Sequence, residues 1–286
     1  MEEAGTTGAG RKSEPNVPMR LLLADVDGTL VTQEKELTAS AIAAARDLRA
    51  AGIGLAITSG RPPRGMSMLI APLELATPIA GFNGGVFVQP DLTVIESHAL
   101  EAPVAEEALS LIFDAGLDAW VYTPDEWLIR DSSAPHVARE AWTVKFEARV
   151  VPRFTSECLA ETVKIVGVSD DLAKVVACER AAQDKLSGRA SASRSQPYYL
   201  DVTHPLANKG EVVGWLSRRL GIPASQIATI GDMPNDILMF AVSGFSIAMG
   251  QAADEVKAKA DTVTDANGAE GFAKAVAKLL ARQQGR

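Results

Sequence analysis

The chain has 286 residues, of which 47% are hydrophobic and 22% are charged. A chain of this length and composition can bury a substantial core, and it suits two domains or one domain with a large insertion. Its formal net charge of -8 and its scattered basic residues argue against a nucleic-acid surface. No apolar run approaches the roughly 18 residues that a membrane span requires.

The two cysteines, Cys158 and Cys178, have neither a metal-ligand spacing nor a disulfide framework, as expected of thiols in a reducing compartment. Residues 1–18 are polar, rich in Gly, Thr and Glu, and lack the apolar centre of a secretory signal. We therefore expect a disordered N-terminal tail over residues 1–18 and a cytoplasmic protein.

A strand, a helix and a second strand are predicted directly after this tail. Residues 19–24 form a continuous apolar run, which is typical of a buried strand. Thr38 is predicted to cap a helix that ends at Gly52, and residues 53–57 form the next buried strand. A unit of this kind predicts a parallel sheet with a right-handed crossover.

The same alternation returns in the last part of the chain. The predicted elements are a helix over 208–221, a strand over 226–230, a helix from Pro234 to 243, a strand over 245–249, a short helix over 252–260, an edge strand over 261–264 and a closing helix over 270–283. The two halves together predict a doubly wound α/β core domain over residues 19–83 and 206–286.

Residues 84–205 differ in character from both halves. They hold three of the four Trp residues and all of the Tyr and His residues, in short strands mixed with helices. We predict an inserted α+β cap domain with a partly antiparallel sheet, which includes the strands "GVFVQ" and "LTVIES" at its start. Its large aromatic residues are expected to form the cap core rather than a substrate platform; they are Trp120, Tyr122, Trp127 and Trp142.

Polar residues follow each predicted strand of the core. Asp25 and Asp27 end the first strand, residues 58–61 ("TSGR") end the second, and residues 231–236 ("GDMPND") follow a later one. A lysine, Lys209, opens the helix after the insertion. Because ligands of a parallel α/β sheet bind beyond the carboxyl ends of its strands, we expect these segments to converge on one crevice.

The residue types in this crevice suit a phosphate and a divalent cation together. Carboxylates are ligands for Mg²⁺, whereas a lysine, a hydroxyl group and turn amides suit phosphate. A carboxylate about 4 Å from a phosphate oxygen repels it by roughly 4 kcal/mol per unit-charge pair at an effective dielectric constant near 20. A cation is therefore needed to bring them together, and the carboxylate can then act as a nucleophile.

"DVDGTL", "TSGR", the lysine of "NKG" and "GDMPND" resemble, in this order, the four motifs of the haloacid dehalogenase (HAD) superfamily. The resemblance implies that Asp25 is the nucleophile that attacks phosphorus. Asp27 resembles the general acid and base, and its pKa is expected above that of an ordinary Asp. Lys209 resembles the catalytic cation of the third motif. Mg²⁺ is expected at Asp25, the Asp27 carbonyl and Asp232, with Asp236 near a metal-bound water or Lys209.

The same resemblance implies a set of substrate-binding residues. Ser59 takes the hydroxyl position where the family usually has Thr, and the Gly60 amide lies beside it. Val26, between the two aspartates, and Asn235 are expected to lie near the phosphate, as is Lys209. Arg61 has two open interpretations, a wall of the site or a surface ion pair.

The spacing of the motifs resembles one branch of the superfamily. Only 33 residues lie between Asp25 and Ser59, whereas about 150 lie between Ser59 and Lys209, so the cap follows the second motif, as in Cof-type (IIB) phosphatases. Asn83 and Gly84 are expected to form the hinge where the cap joins. The resemblance implies a Mg²⁺-dependent phosphatase that hydrolyses a small phosphorylated metabolite, a sugar phosphate or a similar compound such as flavin mononucleotide or pyridoxal phosphate, through an aspartyl-phosphate. A phosphomutase of the phosphomannomutase type and a non-catalytic phosphate-binding module remain alternatives.

Overall fold

The computed structural model describes residues 17–285, which fold into two sheets with helices packed against them. The predicted tail lies outside the described residues apart from positions 17 and 18. The strands are β1 (Leu21–Asp25), β2 (Gly54–Thr58), β3 (Ile79–Gly81), β4 (Val86–Val88), β5 (Val94–Ser97), β6 (Asp118–Tyr122), β7 (Trp127–Ile129), β8 (Arg149–Val150), β9 (Lys164–Val168), β10 (Ser191–Gln196), β11 (Tyr199–Thr203), β12 (Ile227–Gly231), β13 (Phe245–Ala248) and β14 (Thr262–Val263). The helices are α1 (Ala39–Ala50), α2 (Ser67–Leu73), α3 (Ala102–Asp114), α4 (Val137–Val144), α5 (Ser156–Leu159), α6 (Leu172–Lys185), α7 (Lys209–Leu220), α8 (Ile237–Val242), α9 (Asp254–Lys257) and α10 (Gly271–Gln283).

The larger sheet has eight strands in the order β14-β13-β12-β1-β2-β3-β4-β5. The strands from β14 to β3 run parallel, and β1 lies between β2 and β12, where it is buried along its whole length. The predicted cap of α1 is present, because the Thr38 hydroxyl accepts a hydrogen bond from the Ala41 amide at 3.2 Å. Helix α7 ends at Gly221, which has a positive φ of 63°. The predicted doubly wound α/β core with an inserted α+β segment is confirmed.

The start of the insertion differs from the prediction. Strands β4 and β5, which the sequence analysis assigned to the cap, pair antiparallel with β3 and extend the larger sheet. The reason is a chain reversal at residues 82–84, all of which adopt positive φ values, so that the chain folds back on β3 as a hairpin. The chain leaves the larger sheet after Ser97 rather than at Gly84, and the predicted hinge at residues 83–84 therefore lies within the core.

The smaller sheet has the order β10-β11-β9-β6-β7-β8 and is antiparallel except for the β7–β8 pair. Helices α3 and α6 cover one face, and the other face carries Trp120, Tyr122 and Trp127 towards the core domain, in one cluster with Phe82. These three aromatic residues are buried as predicted, whereas Trp142 is 48% exposed, so its prediction as a core residue was wrong.

Two linkers connect the sheets, one after β5 and one after β11. They lie side by side, because His98 in the first and His204 in the second stack with ring centroids 5.5 Å apart. The His98 amide also donates to the Gly85 carbonyl at 2.7 Å, which fixes the first linker to the core. Among residues 17–285, no helix has the length and apolar character of a membrane span.

A pair of glycine substitutions tests the packing at the chain reversal. Gly84 has a φ of +98°, and a Cβ there would lie 2.7 Å from Val212 Cγ2, whereas Gly188 has a φ of +75° with nothing within 4 Å. We expect Gly188→Ala to lower the free energy of unfolding by about 1 kcal/mol through backbone strain. We expect Gly84→Ala to cost about 1–3 kcal/mol more, because the added methyl group must displace Val212. Urea unfolding measures both; equal losses would contradict the crowding at Gly84.

Candidate active site

The chain segments with the predicted motifs meet at the carboxyl edge of the larger sheet. Asp25 ends β1, and the loop after β12 supplies Asp232 and Asp236. One carboxylate oxygen from each of these three residues lies within 4.8 Å of the others. The carboxylates come together because β1 and β12 are paired neighbours, which places the loops at their carboxyl ends side by side.

Lys209 lies between two of these carboxylates. Its Nζ donates to Asp25 Oδ1 at 2.6 Å and to Asp236 Oδ1 at 2.5 Å, and all three side chains are buried. The Asn208 side chain caps α7 by accepting from the Glu211 amide at 3.0 Å, which makes Lys209 the first residue of the helix. Burial alone would lower the pKa of Lys209, but Asp236 and Asp25 reverse this effect and raise it. Lys209 is therefore a fixed positive charge.

Asp236 uses both of its carboxylate oxygens within the protein. Oδ1 faces Lys209, and Oδ2 accepts from the amides of Asp232 and Met233 at 2.9 Å each. A side chain at Gly231 would collide with this carboxylate, since a Cβ there would lie 2.3 Å from Asp236 Cγ. The predicted contact of Asp236 with Lys209 is present, and the residue also shapes the loop that carries Asp232.

Two buried oxygens in this cluster lack a partner. Asp25 Oδ2 and Asp232 Oδ1 receive no hydrogen bond from residues 17–285. Burial, Asp236 and Asp232 raise the pKa of Asp25 despite the opposing charge of Lys209, and burial and Asp236 raise the pKa of Asp232 to about 6. One lysine therefore does not neutralise the carboxylates, and the two unpartnered oxygens fit a hard divalent cation such as Mg²⁺.

The loop after β1 approaches Asp232 closely. A Cβ at Gly28 would lie 2.4 Å from Asp232 Oδ2, so a glycine with its positive φ of 81° is required there. Gln251 Nε2 donates to the Gly28 carbonyl at 2.6 Å and to Asp232 Oδ2 at 3.3 Å. The backbone amide of Asn267 donates to Gln251 Oε1 at 2.8 Å. Its side-chain Nδ2 donates to two carbonyl oxygens of the same loop at 3.0 Å. Gln251 and Asn267 were not predicted from the sequence, because neither belongs to a motif.

The Asp27 carboxylate is held by two cations. Arg61 donates through Nε to Oδ2 at 2.7 Å and through Nη2 to Oδ1 at 2.6 Å. Lys35 Nζ donates to Oδ1 at 2.7 Å, and Ser59 Oγ to Oδ2 at 3.3 Å. Lys35 was also missed, since a lysine in a polar loop carries no signal of its own.

These contacts correct the expected pKa of Asp27. Burial alone would raise it, but the hydrogen bonds and charges of Arg61 and Lys35 outweigh burial and lower the pKa to about 2. Asp27 is therefore ionised in this arrangement, and the expectation of a raised pKa is wrong for it. Of the two interpretations of Arg61, a wall of the site is the one that the structure supports, because its side chain is buried and does not form a surface ion pair.

The remaining predicted residues differ in burial and in their hydrogen bonds. The Val26 side chain is buried in the core, so only its backbone is available to a ligand. Ser59 Oγ accepts from the Arg61 amide at 3.1 Å, which orients the turn that contains Gly60. Asn235 is exposed and donates to Asn83 Oδ1 at 3.3 Å, at the rim of the crevice.

Comparison with known proteins shows the family to which the chain belongs. The family described as haloacid dehalogenase-like hydrolase matches residues 22–276. Pyridoxal phosphate phosphatase YbhA of Escherichia coli (strain K12) is 27% identical over 265 residues, which cover 89% of this chain and 96% of that protein. Its name agrees with the predicted enzyme class, a phosphoric monoester hydrolase.

Two solved structures share the fold. A haloacid dehalogenase-like hydrolase from Bacteroides thetaiotaomicron has a TM-score of 0.84 and 27% identity, over 91% of this chain and 99% of that chain. The HAD subclass IIB sugar phosphatase BT4131 has a TM-score of 0.77 and 22% identity, over 91% of this chain and 98% of that chain. The predicted Cof-type architecture is confirmed, and the protein belongs to the haloacid dehalogenase-like hydrolases.

Proposed function

We propose that this protein is a Mg²⁺-dependent phosphatase that releases phosphate from a small phosphorylated metabolite through an aspartyl-phosphate at Asp25. The observation that carries the proposal is the state of Asp25: one oxygen is fixed by Lys209 and the other is buried without a partner among the described residues. A carboxylate in this state is oriented for attack and lacks only its ligands.

The chemistry divides into two displacements at phosphorus. Asp27 is ionised while Arg61 and Lys35 bind it, so it first takes up a proton from solvent when the phosphate replaces it as their partner. An Asp25 oxygen then attacks phosphorus, the bond from phosphorus to the ester oxygen breaks, and Asp27 passes this proton to the leaving alkoxide. A water molecule then attacks the phosphoryl group on Asp25, gives its proton to Asp27, and inorganic phosphate leaves with Asp25 restored. Asp25 and Asp232 would hold Mg²⁺, together with the Asp27 carbonyl oxygen. The bound ion supplies positive charge that offsets the repulsion between phosphate and carboxylates.

Arg61 and Lys35 provide positive charge that would attract the phosphate to a position beside Asp27. Both cations are bound to the Asp27 carboxylate. A phosphate dianion offers them more negative charge and three acceptor oxygens, so it competes for the same donors. We propose that this exchange of partners releases Asp27 for proton transfer, while Ser59 and the amides near Gly60 and Val26 bind the phosphate.

The substrate class follows from the site and one relative. The carboxylates, Lys209 and Arg61 would act on the phosphoryl group alone, and the cap packs against the core through Tyr122 and Val144, which suits a small leaving group. The relative from Escherichia coli is named for a small phosphorylated metabolite, pyridoxal phosphate. Release of inorganic phosphate, rather than transfer to a second sugar, separates this proposal from a phosphomutase.

The first prediction concerns the nucleophile. Asp25→Asn should reduce kcat on p-nitrophenyl phosphate at least about 1,000-fold, because an amide cannot attack phosphorus. The fold should persist, since Lys209 keeps its bond to Asp236. Asp47→Asn, which changes an exposed aspartate on α1, is the control and should retain wild-type kinetics. Near-native activity of Asp25→Asn would remove the assignment.

Removal and addition of Mg²⁺ should change both the turnover and the stability of the protein. Chelator-treated protein should not turn over and should recover with Mg²⁺. Mg²⁺ at about 100 times its Kd should stabilise the fold by about 2.7 kcal/mol, because the ion binds only the folded cluster. This stabilisation is measured as a rise in melting temperature on adding Mg²⁺. Asp232→Asn should lose most of that rise, and Asp47→Asn should keep it. An equal shift in both variants would place the ion elsewhere.

A further inference from the structure

The six carboxylate oxygens of Asp25, Asp232 and Asp236 are divided unevenly between protein partners and open positions. Asp25 Oδ1 and Asp236 Oδ1 both accept from Lys209, and Asp236 Oδ2 accepts from two backbone amides. Asp232 Oδ2 accepts from Gln251 Nε2 at 3.3 Å. The other two oxygens, Asp25 Oδ2 and Asp232 Oδ1, are buried without a partner among residues 17–285. Each of these two aspartates therefore offers a cation one oxygen rather than two.

This division of the oxygens bears on which divalent cation the site prefers. Ca²⁺ binds roughly six to eight oxygen atoms, often takes both oxygens of one carboxylate and tolerates irregular geometry. Mg²⁺ is smaller, requires a nearly ideal octahedron, and uses one or two carboxylates together with water or substrate phosphate. A cluster that offers single oxygens from two aspartates suits Mg²⁺ and gives Ca²⁺ few protein ligands. A partner that keeps the second oxygen of an aspartate occupied therefore favours Mg²⁺ over Ca²⁺.

Gln251, the partner of Asp232, lies outside the sequence motifs in a turn that follows β13. The Ala252 amide donates to the Met249 carbonyl at 3.0 Å and closes this turn. The Met249 amide donates to the carbonyl of Gly231, the residue before Asp232, at 2.9 Å. The turn is thus attached to the loop after β12, which places the Gln251 side chain beside Asp232.

Both ends of the Gln251 side-chain amide are used, and this sets its orientation. Oε1 accepts from the Asn267 amide at 2.8 Å, so Nε2 is the end that donates to the Gly28 carbonyl and to Asp232 Oδ2. The loop that carries Asn267 packs backbone against backbone on Gly250, where a Cβ would lie 2.6 Å from a backbone nitrogen of that loop. Gln251 therefore connects three loops in one fixed arrangement.

The loop after β1 closes on the same oxygen of Asp232 from its backbone. A Cβ at Gly28 would lie 2.4 Å from Asp232 Oδ2. The residues that follow Gly28 are held in place, because Asn267 Nδ2 donates to the Thr29 and Val31 carbonyls at 3.0 Å each. Asp232 Oδ2 thus lies between a hydrogen-bond donor and a fixed backbone, and Oδ1 is the oxygen left for a cation.

The exposure of Gln251 indicates that its hydrogen bonds serve orientation rather than the burial of polar groups. The side chain is exposed, so water could replace its bonds to the Gly28 carbonyl and to Asp232. Water molecules would not hold the Asp232 carboxylate in one rotation, whereas a side chain fixed to two other loops does. Groups that bond to a metal ligand in this way orient the ligand and affect metal affinity.

We propose that Gln251 determines the selectivity of the site for Mg²⁺ over Ca²⁺, because it occupies Asp232 Oδ2 and limits Asp232 to one ligand oxygen. Gln251 is a positioning residue that acts through Asp232. The proposal rests on the cation site of the proposed function and deepens it by naming the residue that selects the ion. Without Gln251, Asp232 can turn and offer both oxygens, an arrangement that suits Ca²⁺ better than Mg²⁺.

Calorimetry of Mg²⁺ and Ca²⁺ binding to the full chain, after treatment with chelator, tests this inference. Gln251→Met keeps the length of the side chain and removes both ends of its amide. It should weaken Mg²⁺ binding about 10-fold, the lower end of the usual effect of such residues, because Gln251 is exposed. Ca²⁺ binding should change less than about 2-fold, whereas a general loosening of the loops would weaken both ions equally.

The matched control is Gln183→Met. Gln183 is another exposed glutamine whose Nε2 donates to a backbone carbonyl, that of Ala192 at 2.9 Å, but it lies on α6 of the cap. This variant should bind both ions with wild-type affinity. An unchanged ratio of the Mg²⁺ and Ca²⁺ dissociation constants in Gln251→Met would overturn the inference.

Diffraction from crystals soaked in Ca²⁺ gives a second measurement that does not depend on affinity. The wild-type protein should bind the ion through one oxygen of Asp232 at about 2.3–2.6 Å, and Gln251→Met should bind it through both. The same coordination in both proteins would overturn the selectivity proposal and leave the phosphatase proposal intact. Absence of both Mg²⁺ and Ca²⁺ binding at Asp232 in the wild-type protein would instead contradict the cation of the proposed function, and this inference with it.

Discussion

The repulsion between three clustered carboxylates is the constraint on which the rest of this structure depends. Asp25, Asp232 and Asp236 lie within one small cluster, and a single lysine is bonded to two of them. Burial strengthens this repulsion, because the surrounding protein screens charge less than water does. The surrounding sheet, loop amides and glycines hold the three carboxylates together. Two of the carboxylate oxygens remain available to a cation.

The scaffold meets this constraint by using backbone and small residues near the charges. Gly28 and Gly231 leave room for the Asp232 and Asp236 side chains, and two loop amides bond to Asp236. Gln251 and Asn267 donate hydrogen bonds to carbonyl oxygens of the loop after β1. The cap packs on the core beside this scaffold, where Tyr122 contacts Phe82 and the Val144 carbonyl faces Gly65.

Much of the fold and the motif residues could be predicted because their signals are local. Asp25, Ser59, Lys209 and Asp232 each follow a strand or open a helix, and parallel pairing brings such positions to one edge. Gln251 and Lys35 could not be found in this way, since they act through contacts made by distant loops. The assignment of β4 and β5 to the cap failed because a hairpin strand has the same local pattern in either sheet. The lowered pKa of Asp27 depends on Arg61 and Lys35 together, which no single motif predicts.

The cation between Asp25 and Asp232 is the central claim, and diffraction from crystals soaked in Mn²⁺ tests it most directly. Anomalous scattering locates the ion without reference to activity or stability. The account predicts one strong peak within about 2.5 Å of an oxygen of Asp25 and an oxygen of Asp232, with Lys209 still bonded to Asp25 and Asp236. A saturating Mn²⁺ soak with no peak at this position, or with a peak only at other carboxylates, would contradict it.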